Sequence, residues 1–159
     1  MTMISAGDTA ELMQTALAAM AALHHKDWEG ARLLLGTQPD SFLRRVARCQ
    51  LGFIRYGMQA VDRIEGSDSG GLDLMFPVLP GSARATQAAV NAGKIIGDPP
   101  LAAIMPAPML RDAMLVLAEI SLRLATRAFG DQIGAMLAAP VTEETAEDAV
   151  SRVRWDWAR

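Results

Sequence analysis

Between Asp40 and Glu65 the apolar residues recur at helical spacing. At 100° per residue Phe42, Val46, Cys49, Phe53, Ala60 and Ile64 fall on one side, and Leu43, Ile54 and Val61 widen it. Arg44, Arg48, Arg55, Gln59 and Asp62 fall on a narrow opposite stripe, with Arg45 and Arg63 adjoining. The pattern predicts a long amphipathic helix with one buried face. The same period in Leu12, Met13, Ala16, Leu17, Met20 and Leu23 predicts an earlier helix, opened by the acidic cap Asp8-Thr-Ala-Glu11. Asp27 can cap a second helix whose apolar side is Trp28, Ala31, Leu34 and Leu35; Gly36 ends it and Pro39 prevents its continuation. Two helices joined so tightly run antiparallel and bury their facing sides, so the chain opens with a helical hairpin. Trp28 is expected to lie between the first and third helices.

Four more helices follow from the pattern. One runs from Ser82 to Ile96, lined by Ala85, Ala88, Ala89, Ala92 and Gly93, which permits close approach of a neighbour. The next, about Pro108 to Phe129, should bury Leu110, Met114, Leu117, Ile120 and Leu124. A short helix from Asp131 to Ala138 precedes Pro140. A last helix, Thr142 to Trp157, has Glu143 and Glu144 in its first turn and Arg152 and Arg154 near its end, an order that suits the helix dipole. Two apolar connectors punctuated by Pro and Gly interrupt this series. Gly66-Ser-Asp-Ser-Gly-Gly71 is a flexible break leading into residues 72–81, and the second connector is Asp98 to Pro108. Composition agrees with the periodicity. Hydrophobic residues make up 51% of the chain, charged residues 21% and aromatic residues 5%. Alanine, the best helix former, fills 28 positions, and β-branched runs are scarce. The expectation is a single all-α domain over residues 1–159, a compact bundle of six or seven helices built from antiparallel helical hairpins.

Asp27-Trp28-x-x-Ala31, following an alanine- and leucine-rich helix, resembles the helix–turn–helix unit of the tetratricopeptide family. In that unit an aromatic residue just past the turn and a small residue three positions later allow close packing. The resemblance covers residues 10–36, about one repeat, and the family's 34-residue period does not recur downstream. It implies a helical-hairpin scaffold and assigns no family.

Candidate chemistry is sparse. His24 and His25 point about 100° apart on a helix and cannot chelate one ion together. No Glu-x-x-His occurs for a di-metal bundle site, and no metal or other cofactor is expected. There is no Gly-x-Ser-x-Gly elbow, and the serines fall mostly in loops or at caps. The 66–71 loop lacks the lysine and preceding strand of a phosphate-binding loop. Cys49, the single cysteine, cannot form an internal disulfide and reads as a buried, inert thiol of a reducing cytoplasm. Asp112 and Glu119, seven residues apart with Arg111 and Arg123 nearby, read as a solvated charged face. No signal peptide is apparent, and the apolar run Ala113–Ala118 is far short of the ~20 residues a membrane span requires.

What remains is surface. With a net charge of −3 no general attraction to nucleic acid is expected. The basic stripe Arg44, Arg48 and Arg55 could grip an acidic protein partner through forked guanidinium hydrogen bonds. Arginine supplies 13 of the 15 basic residues, so a GC-rich coding bias makes a solvated face the favoured reading of the stripe, ahead of an acidic partner. Met75, Phe76, Val78 and Leu79, and then Leu101, Ile104, Met105 and Met109, lie outside the strong helices. They fold back as a lid over the core or form an adaptable apolar contact. The reading that results is a soluble, cytoplasmic, non-catalytic protein–protein interaction module that pairs with a partner or with its own copy as a homodimer. Its candidate partner-binding residues are Arg44, Arg48, Arg55, Met75, Phe76, Leu79, Met105 and Met109. The alternatives are a small-molecule-binding regulatory domain with a pocket between the third, fourth and fifth helices, and an all-helical enzyme whose polar groups converge only in three dimensions.

Overall fold

A computed structural model describes residues 6–65 and 83–138. Over these residues the fold is all-helical: α1 (Ala6–His24), α2 (Trp28–Gly36), α3 (Asp40–Glu65), α4 (Ala83–Gly97), α5 (Leu101–Ile104), α6 (Ala107–Phe129), a 3₁₀ turn (Gly130–Gln132) and α7 (Ile133–Ala138). The first connector, with Met75, Phe76, Val78 and Leu79, and the expected last helix lie outside the described residues.

The turn of the opening hairpin forms as its sequence demands, whereas α1 begins at Ala6, ahead of Asp8, so Asp8 is not its cap. Asp27 Oδ1 accepts from the backbone N–H of Gly30 at 2.9 Å, capping α2. A Cβ at position 30 would require that carboxylate to shift from its present position. The end of α1 is closed by two backbone bonds, Lys26 N–H to the Leu23 carbonyl at 2.9 Å and Asp27 N–H to the Ala22 carbonyl at 2.8 Å. This pattern sets the intervening residue left-handed, and Lys26 takes that conformation at φ 60°. Trp28 is half-buried against the core. The main neighbours of α2 are α1 and α6, so the third wall of the hairpin is α6 and not α3 as expected.

α6 is the central post, packed against α3 most extensively and then against α4, α1 and α2. Ala113 through Ala118 are all buried, as are Leu110, Ile120, Ser121, Leu122 and Leu124. Burial on every side exceeds the single stripe expected, and it follows from a helix with neighbours all round. The alanine face of α4 meets this post through buried Ala88, Ala92 and Ile95.

On α3 the buried line is Leu43, Val46, Ala47, Gln50, Leu51, Ile54, Gly57 and Val61. Phe42, Cys49 and Phe53 are its half-buried flank. The contact line is therefore rotated by about one position from the one the large apolar residues mark. Close crossing of two helices selects small side chains at the centre and leaves aromatic rings at the edges. Gly57 shows the reason: a Cβ there would stand 2.9 Å from Leu124 Cβ on α6.

A polar knot sits in this interface. Gln50 and Ser121 are 1% and 2% exposed. Ser121 Oγ lies 2.8 Å from Gln50 Oε1 and 2.9 Å from the Leu117 carbonyl. Gln50 Nε2 donates to the Ala16 carbonyl at 3.1 Å, so one glutamine ties α1, α3 and α6 together. Ser121 is thus a mid-helix core residue, unlike the loop and cap positions expected of the serines.

Candidate interaction surface

The rotation of α3 decides what becomes of its arginines. Arg44 borders the buried line instead of facing solvent, and it is half-buried. Its Nη1 donates to the carbonyls of Ala102 at 3.0 Å and Met105 at 2.8 Å. These carbonyls belong to α5 and its C-cap, where helix geometry leaves acceptors unpaired. Arg44 therefore pins the second connector onto α3, which corrects its place on a freely solvated stripe. Arg45 and Arg48 are exposed and have no hydrogen-bond or ionic partner among the described residues. Arg55 is exposed but engaged.

The connector folds back as a lid. Residues 98–103 form a hydrogen-bonded turn: Leu101, Ala102 and Ala103 N–H donate to the carbonyls of Asp98, Pro99 and Pro100 at 3.0, 3.1 and 3.0 Å. Met105 is buried in the core, which removes it from the candidate contact residues. Met109 lies in the first turn of α6 and is exposed, and Ile104 is 76% exposed. Between this turn and α3 lies an open cleft of about 270 Å³, lined by Arg44, Arg45 and Arg48 on one side and Pro99, Pro100 and Ala103 on the other. The sequence pattern singled out Arg44 and Arg48 but not their pairing with the two prolines.

Elsewhere several ionisable groups are held in pairs. Arg111 Nη2 meets Asp40 Oδ1 at 2.8 Å, tying the start of α6 to the start of α3. Its Nε is buried without a partner. Glu119 Oε1 lies 3.3 Å from Arg123 Nε, one turn along α6. His24 and His25 are exposed at the end of α1, their ring centres 5.4 Å apart. Burial pushes the Cys49 thiol up to about 12, so the thiolate needed for nucleophilic chemistry is suppressed at neutral pH. Among the described residues no three His, Cys, Asp or Glu side chains stand close enough to hold a metal ion, and no helix is long and apolar enough to cross a membrane.

Set against protein-family profiles, curated proteins and solved structures, the chain matches none. Its function is argued from its own surface.

Proposed function

We propose that the protein is a non-catalytic protein-interaction module that recognises an acidic partner through the basic face of α3 and also associates with its own copy. The observation that carries the reading is the pair Arg45 and Arg48, exposed and without an acceptor among the described residues. Guanidinium groups on a helix can meet a carboxylate one turn away, as Arg123 meets Glu119 here. Two that do not are free to recognise a carboxylate on another molecule, with Arg55 extending the same face. Exposed Ile104 and Met109 supply apolar surface for association. The two sequence arguments for a dimer have been absorbed inside the fold, since the alanine face of α4 and the apolar run of α6 both pack internally.

The test is cross-linked affinity capture with the wild-type chain and with Arg45→Glu, Arg48→Glu and Arg55→Glu combined, Arg44 being spared because it holds α5. A partner captured by the wild type, lost with the triple variant and weakened by salt supports the reading. Capture that is indifferent to both overturns it. Light scattering at tens of micromolar should report a dimer mass, and a monomer mass removes self-association.

A further inference from the structure

We propose that the cleft between α3 and the 98–103 turn receives an acidic side chain and the apolar side chain beside it from an extended segment of a protein partner. The acidic group pairs with Arg45 and Arg48, and the apolar one lies on Pro99, Pro100 and Ala103. This rests on the acidic-partner reading and adds where the partner seats and what its segment looks like.

The two walls of the cleft differ in kind. One is lined by three arginines of α3, Arg44, Arg45 and Arg48. Arg44 is anchored by carbonyls, which orient its charge without neutralising it. Arg45 and Arg48 have no acceptor among the described residues. No acidic residue lines the cleft; Asp40, earlier on the same helix, is held by Arg111, and Asp98 is exposed at the start of the turn outside the lining. The residues that line the cleft therefore carry positive charge and no negative charge. The opposite wall is apolar and stiff, because two successive prolines fix their φ angles and the turn closes its own hydrogen bonds. A preorganised wall loses little freedom on binding. Ile104 continues the apolar strip outward from Ala103.

This pairing selects among anionic partners. A single-stranded nucleic acid would also need aromatic platforms for its bases, and none lines this cleft. A simple inorganic anion would use the arginines and leave the proline wall bare. An acidic residue next to an apolar one fits both walls at once.

The experiment is fluorescence anisotropy of the full chain with three labelled peptides: one alternating Glu and Leu, one with Ser replacing each Leu, and one with Lys replacing each Glu. The Glu–Leu peptide should bind most tightly, the Glu–Ser peptide less, and the Lys–Leu peptide not at all. Arg45→Glu with Arg48→Glu, and separately Ala103→Asp, should each weaken the Glu–Leu peptide about tenfold or more. The charge-matched control Lys26→Glu with Arg32→Glu, on the opening hairpin, should leave it unchanged. Circular dichroism confirms that each variant is folded. Equal binding of the Glu–Ser peptide, displacement by inorganic phosphate below the peptide's own concentration, or indifference to the cleft variants overturns the proposal. If a captured partner is lost with the arginine variant but kept with Ala103→Asp, the acidic-partner reading stands and the cleft falls. If it is kept with both, both fall.

Discussion

α3 and α6, of 26 and 23 residues, cross each other along most of their length and treat their charged residues in opposite ways. Every ionisable side chain of α6 is engaged: Arg111 with Asp40, Glu119 with Arg123, and Asp112 and Arg127 with neighbours of their own. The helix is a structural post, and its charges serve the fold. The first half of α3 anchors one arginine and leaves two without a partner among the described residues, beside an apolar wall. Two helices of similar length thus divide the labour between holding the core and presenting a surface. The place to look for a partner is where charges remain unanswered.

That contrast breaks most readily at the post. Leu117 is fully buried at the middle of α6, and Leu117→Ala should cost about 3–5 kcal/mol, measured by chemical denaturation. A loss near zero would mean that α6 is not the core.

The next effect tests how the two helices are keyed together. Gln50→Ala leaves the Ser121 hydroxyl and the Ala16 carbonyl facing an apolar gap, and should cost about 2–3 kcal/mol. Replacing Gln50→Leu and Ser121→Ala together should recover most of that loss, because both polar partners leave at once. A double variant as unstable as the single one would show that the knot acts only through its volume.

Within α3 itself the arginines should separate. Arg44→Ala removes two hydrogen bonds that hold α5 and should cost on the order of 2 kcal/mol. Arg45→Ala and Arg48→Ala should each stay within about 0.5 kcal/mol. Equal costs for the three would erase the distinction between an anchoring and a presenting arginine.

These values bear on what the sequence pattern could disclose. The helices and the hairpin were legible because period and caps are local: Asp27 caps α2, and Gly36 and Pro39 stop it, whatever packs nearby. The fate of Arg44 was not legible. It depends on a rotation of α3 by about one position, consistent with the close approach of Gly57 to Leu124. Gln50 was visible only as a polar residue in register with Leu43, Val46 and Ile54, a sign that could have flagged it.

Smaller still is the turn of the hairpin. Lys26 sits left-handed at φ 60°, so Lys26→Gly should stabilise by about 0.5–1 kcal/mol, giving a modest rise in melting temperature. A fall would show that the lysine side chain is needed there.

Cys49, on the flank of the α3 contact line, contributes nothing below its ordinary range. Its thiol is raised from 9.0 to about 12 in the fold, so above pH 9 the unfolded chain gives up a proton that the native one keeps. Stability should decline as pH rises from 9 towards 12, and Cys49→Ala should flatten that decline in denaturation curves. An equal slope in both proteins would place the thiol in water.

The sequence by itself determined an all-helical chain, the opening hairpin and the limits of α3, α4 and α6, because helix formation, capping and termination act over a few residues. Only the tertiary structure decided which charges were left over. An arginine becomes an anchor or a hand for a partner according to which carbonyls and carboxylates the fold brings within reach. For Arg44 those carbonyls lie 58 and 61 residues away along the chain, a separation that no local pattern records.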